Sequence, residues 1–354
     1  MRQGDSSFRY IPELDGLRYL AALSIFFFHG ATDRILPSGS LGVDVFLVLS
    51  GFLTVSVALA AQGSFSPVTF VARRLVRIYP ALFVVTIACL PRHLYGDFDV
   101  ILIAATVLTF TSNFALMEGA NLGSLIITWS LAVEMHFYLV ISLFLWLALV
   151  RGGSGRSRSD RILRLQKIAL AAFLLTTALR IASGLFRDAY FEDYFNSLFR
   201  MSGLFLGAWL ATIRWRPSPL LANISTALAI AIIFSLMLLP YKSGVDLLEI
   251  SIVELCSVAL ILSLATRTGL IAALLRHPIM RMLGSWSYSF YLCHLLVLHL
   301  IVNQIPTYTG LALAFVVSHV FAAACYRYIE RPSAQAFRRY LPDHKTQVSP
   351  ASTP

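Results

Sequence analysis

Charge is what this 354-residue sequence has least of. Asp, Glu, Lys and Arg make up 13% of it, against about a quarter in soluble domains. With 58% hydrophobic residues it has too few solvated side chains to cover a water-facing surface, so it reads as a polytopic membrane protein. Cysteine is also scarce. Cys89, Cys256, Cys293 and Cys325 each lie in an apolar stretch, which excludes a disulfide framework and gives no metal-ligand spacing. No small-residue cleavage site follows the first apolar segment, which therefore reads as a retained span rather than a signal peptide. An internal repeat is missing too, so nothing points to a transporter built from symmetric halves. What charge there is leans one way, with 28 Lys and Arg against 18 Asp and Glu, net +10. Basic residues in short cytoplasmic loops account for that excess without nucleic acid.

Long apolar runs are abundant. Stretches able to span occur near 14–32, 41–61, 78–95, 98–117, 127–150, 168–185, 197–213, 220–240, 247–265, 283–303 and 310–328. Loops containing ARRLVR, RGGSGRSRSDRILRLQK, RWRP and LLRHPIMR are basic and are expected inside; those containing GDFD and RDAYFEDY are net acidic and are expected outside. Residues 73–77 and 151–167 then share a side, which requires an even number of spans between them, and three candidates lie there. The segment 98–117 is the one to demote, because TFTSNF and the following Gly119 and Gly123 suit a broken, re-entrant piece lining a protein cavity. The expected fold is all-α, with about ten transmembrane helices plus one re-entrant or partly embedded segment. It is a multi-pass protein of the plasma membrane with both termini cytoplasmic. Residues 1–332 form the membrane domain, and 333–354 are expected to be a polar, disordered tail.

Within the first run, LDGLRYLAALSIFFFHG, Arg18 and His29 interrupt the apolar pattern. Eleven residues are about three helical turns, so both side chains share a face about 16 Å apart. Ionisable residues at membrane depth mark functional sites, although snorkelling and interfacial capping are the plain alternatives. The second span, GVDVFLVLSGFL, runs inward and places Asp44 about one turn below its outer end, at a depth similar to His29. A carboxylate there would fix the imidazole tautomer and raise its basicity, unless the two only hold helices together. Glu134 and Tyr138 follow one another on a face of TWSLAVEMHFYL; His136 points elsewhere and reads as a packing histidine, and Trp129 suits an interfacial aromatic belt. Arg73 and Arg77, four apart with Arg74 beside them, form with Arg18 a cationic cluster suited to phosphate, or follow from positive-inside bias. Ser287, Tyr291 and His294 lie on one stripe of a later span and line a channel or a helix contact. A cationic floor and a histidine farther out suit an anionic donor and an acceptor, but do not choose between an enzyme and a transporter.

IPELDGLRYLAALSIFFFHG, GVDVFLVLSGFL, RRLVRIYP, TWSLAVEMHFYL and LGSWSYSFYLCH, in this order, closely resemble the membrane-bound acyltransferase-three family, which includes O-antigen, Nod-factor and macrolide acyltransferases. The resemblance runs from about residue 10 to YIERP at 328–332. It implies transfer of an acyl group, commonly acetyl from acetyl-CoA, to a hydroxyl of a carbohydrate or glycosylated acceptor. The family's Arg-x10-His motif falls on Arg18 and His29, with His29 catalytic. Its arginine pair falls on Arg73 and Arg77, toward the acyl donor, and its acid after Trp-Ser-Leu on Glu134. The Asp and Ser of its second helix fall on Asp44 and Ser50. The family's usual pattern after the acid at Glu134 is Glu-Gln-Phe-Tyr, whereas this chain has Met135-His136-Phe137-Tyr138, so Met135 and His136 inherit no role. No extra extracytoplasmic domain is expected after the last span, so transfer would finish within the membrane domain.

The resulting expectations are His29, Asp44 and Glu134 as catalytic residues, Arg18, Arg73 and Arg77 for the donor, and Ser50, Tyr138, Ser287, Tyr291 and His294 along the substrate channel. No metal and no resident cofactor is expected. Acyl-CoA is the donor, a carbohydrate, glycolipid or antibiotic the acceptor, and the bilayer the surroundings. His29 serves as general base or as an acylated nucleophile. The rival reading is an exporter of a glycan or lipid-linked substrate with an intramembrane proton relay.

Overall fold

The computed structural model describes residues 10–31, 35–60, 65–93, 99–150, 157–186, 190–240 and 247–340. Residues 1–9 and 341–354, with both termini, lie outside the described residues, as do 96–98, 151–156 and 187–189 of the loops that carried the charge argument. The described chain is helical, with no strand among the described residues. Its helices are α1 Glu13–Ala31, α2 Gly42–Ala60, α3 Pro67–His93, α4 Val100–Leu108, α5 Ser112–Met117, α6 Trp129–Leu149, α7 Arg158–Phe186 and α8 Tyr190–Phe195. There follow α9 Ser197–Leu210, α10 Pro219–Leu238, α11 Leu247–Leu264, α12 Gly269–Leu275, α13 Pro278–Ile301, α14 Tyr308–Cys325 and α15 Arg331–Tyr340. A π-helical stretch, Tyr326–Glu330, joins α14 to α15, so helix continues past the boundary at 332 where a disordered tail was expected.

By length and apolarity, six of the described helices can cross a bilayer, or seven if α11 and α12, bent by 89°, act together. That is fewer than the ten expected. The difference has a physical source. α1 and α13, 19 and 24 residues long, fall outside the count and are the helices carrying Arg18, His29, Ser287 and His294, while α9 has only 14 residues. Outward faces are apolar, as lipid contact requires: Leu221, Ile224, Leu228 and Ile232 form an exposed stripe at helical spacing along α10.

The segment 98–117 is broken. Asp99 caps α4 by accepting from the backbone N–H of Ile101 and Leu102, both at 3.0 Å, and the helix stops after nine residues, about 13.5 Å. Phe110 then takes a positive φ of 57°, and α5 starts on a new axis. The polar pair that suggested a break is buried: Asn113 donates to Ser197 Oγ at 3.0 Å and to the Phe195 carbonyl at 3.3 Å.

Small residues bring α2 and α9 into backbone contact. A Cβ added at Gly51 would lie 2.0 Å from the Leu204 carbonyl oxygen, and one at Gly207 would lie 2.0 Å from that of Val48. Close approach of this kind is how helices associate where no hydrophobic driving force separates protein from lipid. It also decides which polar groups α2 meets.

Candidate active site

Five helices contribute to the wall of a cavity of about 880 Å³, its open mouth included. From α3 come Arg74, Arg77 and Ile78, an i, i+3, i+4 set; α6 adds Ser130, Glu134 and Tyr138, an i, i+4, i+8 set. Ser50 and Thr54 of α2, Arg18 of α1 and Ser287, Tyr288 and Tyr291 of α13 complete the polar part of the wall. Three guanidiniums and one carboxylate therefore line it. Glu134 accepts from Ser50 Oγ and from the Tyr138 hydroxyl, and those two hydroxyls are 3.1 Å apart. Arg74 lies over the ring of Tyr138, 5.3 Å from its centroid, and over Phe70 at 5.6 Å. At the far end Tyr291 donates to the Ile127 carbonyl at 2.8 Å and meets Ser130 Oγ at 2.8 Å, tying α13 to the start of α6.

This arrangement changes three sequence expectations. Arg74, not Arg73, accompanies Arg77 in the cavity wall. Spacings of three and four share a helical face equally well, and packing of α3 selected the first. Glu134 sits among the arginines rather than beside His29, which is not part of this wall. Asp44 does not orient His29 either. Its carboxylate meets Arg200 of α9 at 2.8 Å, a consequence of the glycine-mediated contact between α2 and α9.

The partner of His29 is another histidine. Its Nδ1 lies 3.0 Å from Nε2 of His294, with the ring centroids 5.1 Å apart. His294 is fully buried, and its Nδ1 lies 2.6 Å from the backbone oxygen of Tyr291, one turn back. The stripe of Ser287, Tyr291 and His294 thus divides: the first two face the cavity, and the third continues to His29.

A second set of buried charges was missed. Arg180 donates to Ser202 at 2.7 Å and Ser251 at 2.8 Å and pairs with Glu254 at 3.3 Å. Arg200, besides Asp44, lies over the rings of Trp129 and Tyr194 at 5.2 and 4.9 Å, which makes Trp129 a buried stacking partner rather than a lipid-facing belt residue. Each of Arg180, Arg200 and Glu254 is an ionisable residue inside an apolar run, the signal that singled out Arg18, and it would have found them. His136, as expected, packs: it stacks on Phe114 and meets Ser197 Oγ at 2.8 Å. Among the described residues no group of three or more His, Cys, Asp or Glu could hold a metal ion.

A family profile described as an acyltransferase domain matches residues 11–327. The chain is similar to "O-acetyltransferase OatA" of Staphylococcus aureus strain MRSA252, 26% identical over 386 residues that cover 96% of this chain and 60% of that protein. It is also similar to "Putative peptidoglycan O-acetyltransferase YrhL" of Bacillus subtilis strain 168, 29% identical over 374 residues, 94% of this chain and 56% of that protein. A third relative, from Staphylococcus aureus strain COL and likewise named as an O-acetyltransferase, is 28% identical over 366 residues, 92% of this chain and 57% of its own. The chain thus spans a little over half the length of these curated relatives. No solved structure matches it.

Proposed function

Since the chain belongs to the acyltransferase-three family, we propose that it is a membrane-bound O-acyltransferase, moving an acyl group, acetyl in the first place, from acyl-CoA to a carbohydrate hydroxyl. Peptidoglycan is the acceptor named for one relative and a fitting class here. The observation that carries this reading is the division of α1: Arg18 faces a cavity with surplus positive charge, and His29 lies about 16 Å farther along the same helix, paired with His294. An anionic donor fits the cavity because three guanidiniums face one carboxylate there, and guanidiniums bind phosphate oxygens two at a time. Glu134, held by Ser50 and Tyr138, limits the charge surplus and keeps Tyr138 beneath Arg74.

In the proposed reaction the acceptor oxygen attacks the thioester carbonyl carbon. A C–O bond forms, the C–S bond breaks, and the hydroxyl proton passes to His29 and from it to the departing thiolate. Asp44 takes no part in this transfer; it holds Arg200. We further propose ten crossings, made by α1, α2, α3, α6, α7, α9, α10, α11, α13 and α14, in the plasma membrane with both termini inside. α4 and α5 would be embedded without crossing.

Mass spectrometry of cell-wall glycans and secreted metabolites tests this. Cells making the wild-type chain should carry an added acyl mass that cells making His29→Gln lack. Gln keeps size and hydrogen bonding but takes up no proton, so an equal acyl signal in both strains, or none in the wild type, overturns the proposal.

A further inference from the structure

The ring contacts of His294, to backbone carbonyls of Tyr291 and Phe290 and to His29, leave little choice about where protons sit. A backbone carbonyl only accepts, so His294 Nδ1, 2.6 Å from the Tyr291 oxygen, must carry the hydrogen and donate it. The ring is enclosed by Phe26, Phe290 and Tyr291, and none of its described contacts is with a carboxylate, so nothing offsets the cost of a second proton in so apolar a place. In the neutral ring Nε2 is then a bare lone pair. The atom 3.0 Å away, Nδ1 of His29, must donate to it. That assigns the last position: Nε2 of His29 has the unprotonated lone pair. A further hydrogen-bond partner of the His29 ring is the Ile25 carbonyl one turn back, which also only accepts, and His29 is only partly buried.

We infer that His294 is the positioning residue of the active site, fixing His29 as its Nδ1–H tautomer through a carbonyl–imidazole–imidazole chain that starts at Tyr291. The inference rests on His29 being the proton acceptor of the proposed reaction. It supplies what a carboxylate supplies in other nucleophile–base–orienter arrangements, namely a fixed tautomer and ring plane, without burying a negative charge. The chain also links the two parts of the site, because the residue whose carbonyl starts it, Tyr291, lines the cavity with its side chain.

Three variants and one spectrum test this on the full-length chain. His294→Phe keeps a flat ring among aromatic neighbours but offers no acceptor. It should lower kcat with acetyl-CoA about 10²-fold or more, in the range a displaced general base costs, while KM for acetyl-CoA stays within about twofold. His294→Gln can bring its amide oxygen near the place of Nε2 and should recover most of the loss. His294→Asn, one carbon shorter, should not. Independently of activity, nitrogen-15 NMR of histidine-labelled protein should show His29 with Nδ1 protonated in the wild type and a tautomer mixture in His294→Phe. Wild-type kcat in His294→Phe, a Gln variant no better than Phe, or a wild-type His29 protonated on Nε2 would each overturn the inference. Unchanged acylation in His29→Gln would instead remove the functional reading beneath it, and the NMR tautomer would still stand or fall by itself.

Discussion

Arg180 and Arg200 each meet a carboxylate of their own, Glu254 and Asp44, and hydroxyls or aromatic faces take up further contacts around both guanidiniums. Arg18, Arg74 and Arg77 share one carboxylate, Glu134, in the wall of a cavity. Both sets lie on helices packed in apolar surroundings, where unpaired charge is costly. The first set is neutral as a whole and holds α2, α7, α9 and α11 in register. In the second, Asp15 and Glu330 act on Arg18 and Arg77 from outside the wall, and a wall of three guanidiniums and one carboxylate suits an anion. Local charge count, more than depth or residue type, separates the two sets of arginines.

The sharpest way to break this distinction is to remove one partner of a matched pair. Arg200→Met leaves Asp44 buried without its cation, and such losses cost about 3–5 kcal/mol. The variant should accumulate poorly or unfold at a much lower temperature in detergent. Asp44→Leu combined with Arg200→Met removes both charges and should recover most of that loss, as expected when apolar residues replace a whole pair. A double variant as unstable as the single would mean that the pair is not the unit.

The cavity arginines should behave in the opposite way. Arg74→Ala and Arg77→Ala should each weaken acetyl-CoA binding about 10- to 100-fold, the range for a hydrogen bond to a charged group, with the thermal midpoint nearly unchanged. Lysine at position 77 should restore only part, since it offers no two-pronged contact. Arg73→Ala should cost far less, because Arg73 is outside the cavity wall. If Arg77→Ala destabilised the chain as Arg200→Met does, the contrast between the two sets would be gone.

Much of this was legible beforehand. The spacing of Arg18 and His29 placed both on one face of α1, and polar TFTSNF marked the break between α4 and α5. What sequence does not carry is rotation about a helix axis. Asp44 could be assigned a depth, but only the packing of Gly51 and Gly207 turns it toward Arg200 instead of His29. The same freedom hid the exchange of Arg73 for Arg74. His294 was visible as one of a stripe, yet its pairing with His29 joins residues 265 positions apart, which no local pattern reports. Arg180, Arg200 and Glu254 were legible and overlooked: three charges in apolar runs, each needing a partner by the rule applied to Arg18.

The smallest expected effect separates the two jobs that Tyr138 performs. Its ring lies under Arg74, and its hydroxyl donates to Glu134. Tyr138→Phe keeps the ring and removes only the hydroxyl, leaving Ser50 as the donor to Glu134. The lost bond is worth about 1 kcal/mol, so acetyl-CoA affinity should fall about fivefold while the thermal midpoint stays within error. Tyr138→Leu removes both contacts and should lower affinity further, because Arg74 then loses the surface that aims it. Equal losses in the two variants would assign the whole effect to the hydroxyl. No loss in Phe and a full loss in Leu would leave Glu134 dependent on Ser50 alone, and the cavity arginines held in place by stacking rather than by their shared carboxylate.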